Sequence, residues 1–397
     1  MNTIRNKVII WGADDFNTLG LLRELCKPEI DLFFLIKGGR SCASRSKYCI
    51  NSHQTKTIAE GRDYLLSTFA CEEYKPIIIT SGDGIITFID KHRQELEPYF
   101  ILPGCSESGM IERYIDKNNM TKLAKEHGFV CPKSRFVKKD SDISDVEYPC
   151  IIKPSHQKPG YYNEFKFKVC DNERSLKRIL AYVRPDSEFI LQQCIQKERD
   201  ILVYGARLRD GRVSLAGMMV RDRFADSGSA SHGYMTYEIP AFVNATGIES
   251  FLSAIDYYGP FSFEYGLVGD IAYFFEVNLR NDGTSHYFYQ VGANLPLAYV
   301  YSCAGLNYEH VPTRVETVKW FVDEVFDIEN VLHGTLLLKQ WKKDKAEASV
   351  FKYYDKDDEE PWRYVYKRRI RQIFQDLILK KYRIYVVHIL GKLGLRK

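Results

Sequence analysis

The chain has 397 residues, 45 % of them hydrophobic and 27 % charged, with a net charge of +4. This is ordinary globular usage, which excludes wholesale disorder and a fibrous repeat, and at roughly 100–200 residues per domain the length predicts two or three domains. The charge is uneven: from Arg363 to Lys397 eleven Lys/Arg stand against one acid, Asp376, so a +10 tail follows a body of net −6.

In chain order, Lys7 to Gly12 is a short apolar run closed by glycine and reads as a buried parallel strand. A helical spacing of Leu19, Leu22 and Leu25 follows it, then strands at Asp31–Ile36 and Pro76–Thr80. Strands alternating with helices predict βαβ units and a doubly wound parallel sheet ending near residue 113. Gly12 to Gly20 lacks the three-glycine spacing of a dinucleotide turn, which argues against a nicotinamide oxidoreductase. A helix is expected from Asp116 to His127, stopped by Gly128. Tyr148–Pro154 is an apolar strand carrying Lys153, Ser155–Tyr162 a polar loop, Asp171–Val183 a helix and Glu188–Gln193 another strand. Two hairpins are predicted, around Asp210-Gly211 and around Val268-Gly269-Asp270. The centre of the chain therefore reads as antiparallel sheet with helices. From Arg363 onward, Ile370, Ile373, Phe374, Leu377 and Ile378 recur at helical spacing among basic residues. Two readings stand for this amphipathic tail: a helix packed on the body, or one docked on an anionic membrane. Glu347 to Trp362 before it, with the acidic block Asp355–Glu360, reads as a linker or solvated face.

Ten cysteines include no Cys-x-x-Cys pair and none has histidine at zinc-finger spacing, so no zinc site is expected. Neither a signal peptide nor an apolar run of ~18–20 residues is found. The expectation is a cytoplasmic protein with free thiols, peripheral at the inner membrane face if its tail docks there, and with no nucleic-acid partner.

Three features carry chemistry. Lys153 on a buried strand needs an anionic partner, structural or phosphate, or a depressed pKa. Glu276 and Asn278 share one face of a strand, and Glu264 reaches that face from across the hairpin. Two carboxylates and an amide oxygen suit Mg²⁺, although a polar sheet face gives the same pattern. Arg280 continues the alternation, and its guanidinium fork suits phosphate or carboxylate. Arg221 and Arg223 share parity on another extended segment, to serve similarly or to be solvated. His156, His232 and His286 read first as structural residues, with His232, in the small-residue loop 227–233, the best placed for a substrate.

This ordered set resembles the ATP-grasp enzymes over roughly residues 5–310, and most of all carboxylate–amine ligases of the D-aspartate ligase and D-alanine–D-alanine ligase type. The resemblance rests on the lysine-bearing helix with its Gly128-to-Pro132 exit, Pro149–Pro154, the linker Ile190–Ile195, and Glu264 with Glu276, Asn278 and Arg280. It implies a mixed α/β and α+β ATP-grasp fold. The units would be a Rossmann-like pre-domain (1–113), a small subdomain (114–190), a large subdomain with the metal site (191–312) and a C-terminal extension (313–397). It implies that Lys117 and Lys153 contact ATP, with Arg221 and Arg223 as further phosphate contacts. Gln192, Gln193, Cys194 and Ile195 would hold adenine, and Asp200 would lie near the ribose. Glu264, Glu276 and Asn278 would ligate Mg²⁺, with Mn²⁺ as the substitute ion, and Arg280 would act with Lys153 in catalysis. The implied reaction activates a carboxylate as an acyl-phosphate and couples it to an amine, with an amino acid and a cell-envelope or polysaccharide precursor as the expected pair. A homodimer is left open, and so is an ATP-binding, membrane-associated assembly protein without turnover. The chain departs from the family pattern in a phosphate-covering loop with one glycine and a proline, in Gln192 where an acid is usual, and in Leu279 where proline is usual.

Overall fold

The computed structural model describes residues 4–155, 165, 167–185 and 187–375. The predicted loop beyond Ser155, with His156, and the tail from Asp376, with Leu377 and Ile378, lie outside the described residues.

Val8–Ala13 lies between Leu32–Lys37 and Ile77–Thr80 in a four-stranded parallel sheet, with Ser52–Thr55 outermost. Val8 to Trp11 are fully buried, as a central parallel strand covered on both faces requires. The chain leaves this strand to one side and later returns on the other, so the carboxyl ends of Val8–Ala13 and Ile77–Thr80 form a topological switch point. Gly12 is there for packing: a Cβ would come within 2.7 Å of Ser81 Oγ.

A second, antiparallel sheet runs Ser134–Val137, Phe189–Gln193, Cys150–Pro154, Lys168–Cys170. Helix Glu173–Tyr182 covers one face through Leu176 and Leu180, which pack with Ile152 and Leu191. The opposite face carries Lys153 and Gln192.

The third sheet has eight strands. Both predicted hairpins belong to it: Arg199–Arg207 with Val213–Phe224, and Tyr257–Val268 with Ile271–Asn278. Gly211 and Gly269 turn with φ of +88° and +54°, a region that glycine enters without steric cost. Lys319–Val322 and Val350–Phe351 extend the far edge, so part of the segment read as an extension is built into the sheet. One apolar core runs from Ile10 and Phe34 of the parallel sheet to Tyr204, Met219 and Phe321 of the large one.

The acidic stretch before the tail is partly internal, contrary to its reading as a solvated face. Asp358 is buried, accepting from Arg23 Nε at 3.0 Å, Ser46 Oγ at 2.8 Å and the Lys47 N–H at 2.9 Å. Arg23 is itself buried and requires an anion, which among the described residues this distant stretch supplies through Asp358 and Asp355. Residues 360–375 are helical, with Trp362 and Val365 packed on the core and Arg369 paired with Glu329. No helix of the described residues is long and apolar enough to cross a membrane.

Candidate active site

The hairpin Tyr257–Val268/Ile271–Asn278 places Glu264 directly opposite Glu276. Like charges opposite each other in a ladder are destabilising unless something neutralises them. Arg221 does part of this: its Nη2 donates to Glu264 Oε2 at 2.7 Å and also pairs with Asp200. Glu264 nevertheless has its pKa raised, first by burial, against the pull of Arg221 and with added repulsion from Glu276. Asn278 Nδ2 lies 3.3 Å from Glu264 Oε1 and 3.1 Å from Ser262 Oγ.

Two lysines face this acidic edge. Lys117 begins the helix Lys117–Glu126, and its Nζ is 4.0 Å from Glu276 Oε2. Lys153 Nζ donates to Gln192 Oε1 at 2.8 Å. Burial draws the Lys153 ammonium down to about 8, and nearby Lys117 acts in the same direction while Glu276 opposes them. A cation that is costly to bury beside another cation is a natural receptor for polyphosphate.

Arg280 completes the edge. Its Nη2 is 3.3 Å from Asn278 Oδ1, and Nε and Nη2 hold Asp83 at the start of helix Asp83–Lys91. The segment that carries the parallel sheet thus contributes directly. It is also pinned to the loop after Asn278: Asn17 Nδ2 donates to Ser81 O at 3.0 Å and to Asn281 O at 3.1 Å, while Asn281 Nδ2 returns to Asn17 Oδ1 at 2.9 Å.

Lys117, Lys153, Gln192, Asp200, Arg221, Glu264, Glu276, Asn278 and Arg280 are linked in this one constellation. Gln193 and Cys194 sit at its margin. Their N–H groups donate to Lys133 O (2.8 Å) and Pro149 O (3.3 Å), and Ile195 O accepts from Lys197 N (2.9 Å). Arg223 is elsewhere. It is 2.9 Å from Asp327 and 2.7 Å from Asp344, because an irregularity at Asp222 breaks the parity with Arg221. His232 stacks on Trp320 at 5.2 Å, and His286 is buried beside Arg23.

Sequence reasoning missed Asp282, Ser262 and Asp83. Asp282 Oδ2 accepts from Ser262 Oγ at 2.9 Å and lies 3.3 Å from Asn278 Nδ2 and 3.7 Å from Arg280 Nη1. Its signal was present, since the even-numbered alternation Glu276, Asn278, Arg280 runs on to Asp282. Asp83 had no local signal.

The two opposed carboxylates, Glu264 and Glu276, fit a divalent hard cation, while the Asn278 oxygen is turned to Arg280 at 3.3 Å. No cluster of three or more His, Cys, Asp or Glu ligands is gathered among the described residues.

A parallel sheet followed by a small antiparallel sheet and a large one, with a lysine on the small sheet facing carboxylates on the large, defines the ATP-grasp fold. Solved structures agree. An L-amino acid ligase from Bacillus licheniformis superposes with a TM-score of 0.61 over 80 % of this chain and 79 % of its own, at 14 % identity. The N5-carboxyaminoimidazole synthetase from Staphylococcus aureus, solved with ADP, gives 0.64 over 87 % and 88 %, also at 14 % identity. In sequence, the chain is 25 % identical over 240 residues to a D-aspartate ligase from Enterococcus faecium, a match covering 56 % of this chain and 57 % of that protein. The chain thus spans little more than half the length of the curated relative it matches. No protein-family model matches the chain.

Proposed function

We propose that this protein is an ATP-dependent carboxylate–amine ligase. The observation that carries the proposal is Lys117 and Lys153 facing Glu264, Glu276 and Asn278, with Arg280 at the end of the same edge. Such a set has little covalent chemistry to perform, and its work is positioning and charge stabilisation. Lys153 holds phosphate oxygens from the small sheet and Lys117 from the start of the helix Lys117–Glu126. Glu264, Glu276 and Asn278 would hold Mg²⁺, which when bound neutralises charge on the phosphates. Arg280, steadied by Asp83, steers the γ-phosphoryl group toward a substrate carboxylate. The carboxylate oxygen attacks phosphorus and ADP leaves. An amine then attacks the acyl carbon of the acyl-phosphate, inorganic phosphate leaves, and the amine proton passes to solvent. Gln192–Ile195 are proposed at the adenine and Asp200 at the ribose.

The finer form of the proposal joins an amino acid to a cell-envelope or polysaccharide precursor, supported by the likeness to a D-aspartate ligase. Docking of the +10 tail on an anionic membrane draws its support from charge alone. The test is release of ADP and phosphate that requires Mg²⁺, an acid and an amine, over a panel that includes D-aspartate and D-alanine. Lys153→Ala and Glu276→Ala are each expected to lower kcat/KM on the order of 10²-fold or more. Substrate-dependent ADP release that survives both changes would refute the site.

A further inference from the structure

Asp282 is buried, and its carboxylate is held at both oxygens. Its loop is pinned to the segment of the parallel sheet through Asn17 and Asn281. Oδ1 accepts the Thr284 N–H at 2.9 Å, and the Asp282 carbonyl accepts the Ser285 N–H at 3.0 Å. Oδ2 is thereby aimed at the end of the strand Ile271–Asn278. There it accepts from Ser262 Oγ at 2.9 Å and lies 3.3 Å from Asn278 Nδ2. Ser262 is fully buried, stands opposite Asn278 in the ladder, and has its oxygen 3.1 Å from the same Nδ2.

An amide side chain has two orientations, which exchange its oxygen and its NH₂ group. In the one observed, the NH₂ group of Asn278 meets Asp282 Oδ2, Ser262 Oγ and, at 3.3 Å, Glu264 Oε1. Its oxygen meets Arg280 Nη2 at 3.3 Å. The reverse orientation would set the amide oxygen against two carboxylates and the NH₂ group against a guanidinium. Of the three acceptors, Glu264 is also a donor to the cation, whereas Asp282 and Ser262 are not. Arg280 makes little claim on Asp282: its Nη1 is 3.7 Å away and donates to Asn281 O at 3.2 Å, while Nε and Nη2 hold Asp83.

We infer that Asp282, with Ser262, is a positioning residue that fixes the Asn278 amide, keeping its oxygen turned toward Arg280 and available to the cation. Outer partners of this kind orient a ligating group without touching the metal. This deepens the ligase reading and rests on it for the cation.

The experiment is a Mn²⁺ titration of the full chain with ADP, read by the EPR signal of the free ion against a protein-free ADP control. Asp282→Asn keeps the shape and the oxygen for the Thr284 N–H, but turns an NH₂ group on that of Asn278. It is expected to lower Mn²⁺ affinity roughly 10–100-fold. In a chain already carrying Asn278→Ala the same change should cost only about twofold, because no amide remains to be oriented. Ser262→Ala, which alters no charge, should likewise cost affinity only where Asn278 is present. A role in folding, or simple loss of a negative charge near the cation, would lower affinity equally in both backgrounds. That result, or no loss from Asp282→Asn in the otherwise unaltered chain, overturns the inference. Mn²⁺ binding with the expected pattern but no substrate-dependent ADP release would count against the ligase reading alone, and no Mn²⁺ binding by the unaltered chain would refute both.

Discussion

Glu24 lies in helix Phe16–Leu25 with no access to water. Burial pushes its carboxyl up to about 8; Ser285 Oγ donates to Oε1 at 3.0 Å, and Oε2 has no partner among the described residues. Its neighbour His286 is drawn down to about 3 by burial and by Arg23. At neutral pH both are therefore uncharged, and they join the first helix to Ser285–Gln290 just beyond the Arg280–Asp282 loop. An acid whose folded pKa lies above its ordinary 4.5 stabilises the fold at low pH and loses that contribution as pH rises toward about 8. Glu24→Gln removes this dependence. Between pH 5 and 8 the stability difference should shift in favour of the variant by on the order of a few kcal/mol. Calorimetric melting of both proteins across that range checks it, and parallel pH profiles would show that Glu24 is ionised in the fold.

Among the elements, the strand Val213–Phe224 sorts its own side chains. Arg221 opposes Gly233 while Arg223 opposes His232, so Asp222 is an extra residue in the ladder and the two arginines part company. A bulge of this kind re-aims a side chain at the edge of a site, and alternation alone carries no sign of it. The same strand bends earlier at Gly217, where φ is +144° and a Cβ would overlap the Thr236 carbonyl and come within 2.9 Å of Val315. The first obstacle is backbone, which has no rotamer to change. Gly217→Ala is expected to cost about 1–3 kcal/mol in overpacking, with backbone strain of similar size added. Denaturant unfolding measures this; a loss below about 0.5 kcal/mol, the range of ordinary surface substitutions, would mean that the strand relaxes freely.

Across the whole molecule, the segment after residue 312 acts as a clasp. Two of its strands edge the large sheet, Asp327 and Asp344 hold Arg223, Glu329 meets Arg369, and Asp358 holds Arg23 of the helix Phe16–Leu25. Removing one partner of a buried pair leaves an uncompensated charge, costing about 3–5 kcal/mol. Asp358→Ala is thus expected to lower global stability by that amount although it lies far along the chain from the lysines and carboxylates. Thermal unfolding that leaves Tm unchanged would show that this joint is dispensable. The clasp was hard to read beforehand because its partners are separated by 335 residues for Arg23 and Asp358, and sequence pattern reports neighbours within an element only.

The sequence by itself determined the elements and most of the constellation. Apolar runs set the buried strands, Asp-Gly and Val-Gly-Asp set the hairpins, and the two-residue period put Glu276, Asn278 and Arg280 on one edge, because strand geometry is local. The order of these pieces was enough to suggest the ATP-grasp fold. Tertiary structure decided what depends on contact between distant segments. It brought Asp83 to Arg280, turned Arg223 away to Asp327, buried Asp358 on Arg23, and set the helix 360–375 against the edge of the first sheet. A charge has no fixed role until its partner is known, and the partner is chosen by packing of the whole chain. The +10 tail is the clearest case: up to residue 375 it is a helix packed on the core, and composition alone had left that open.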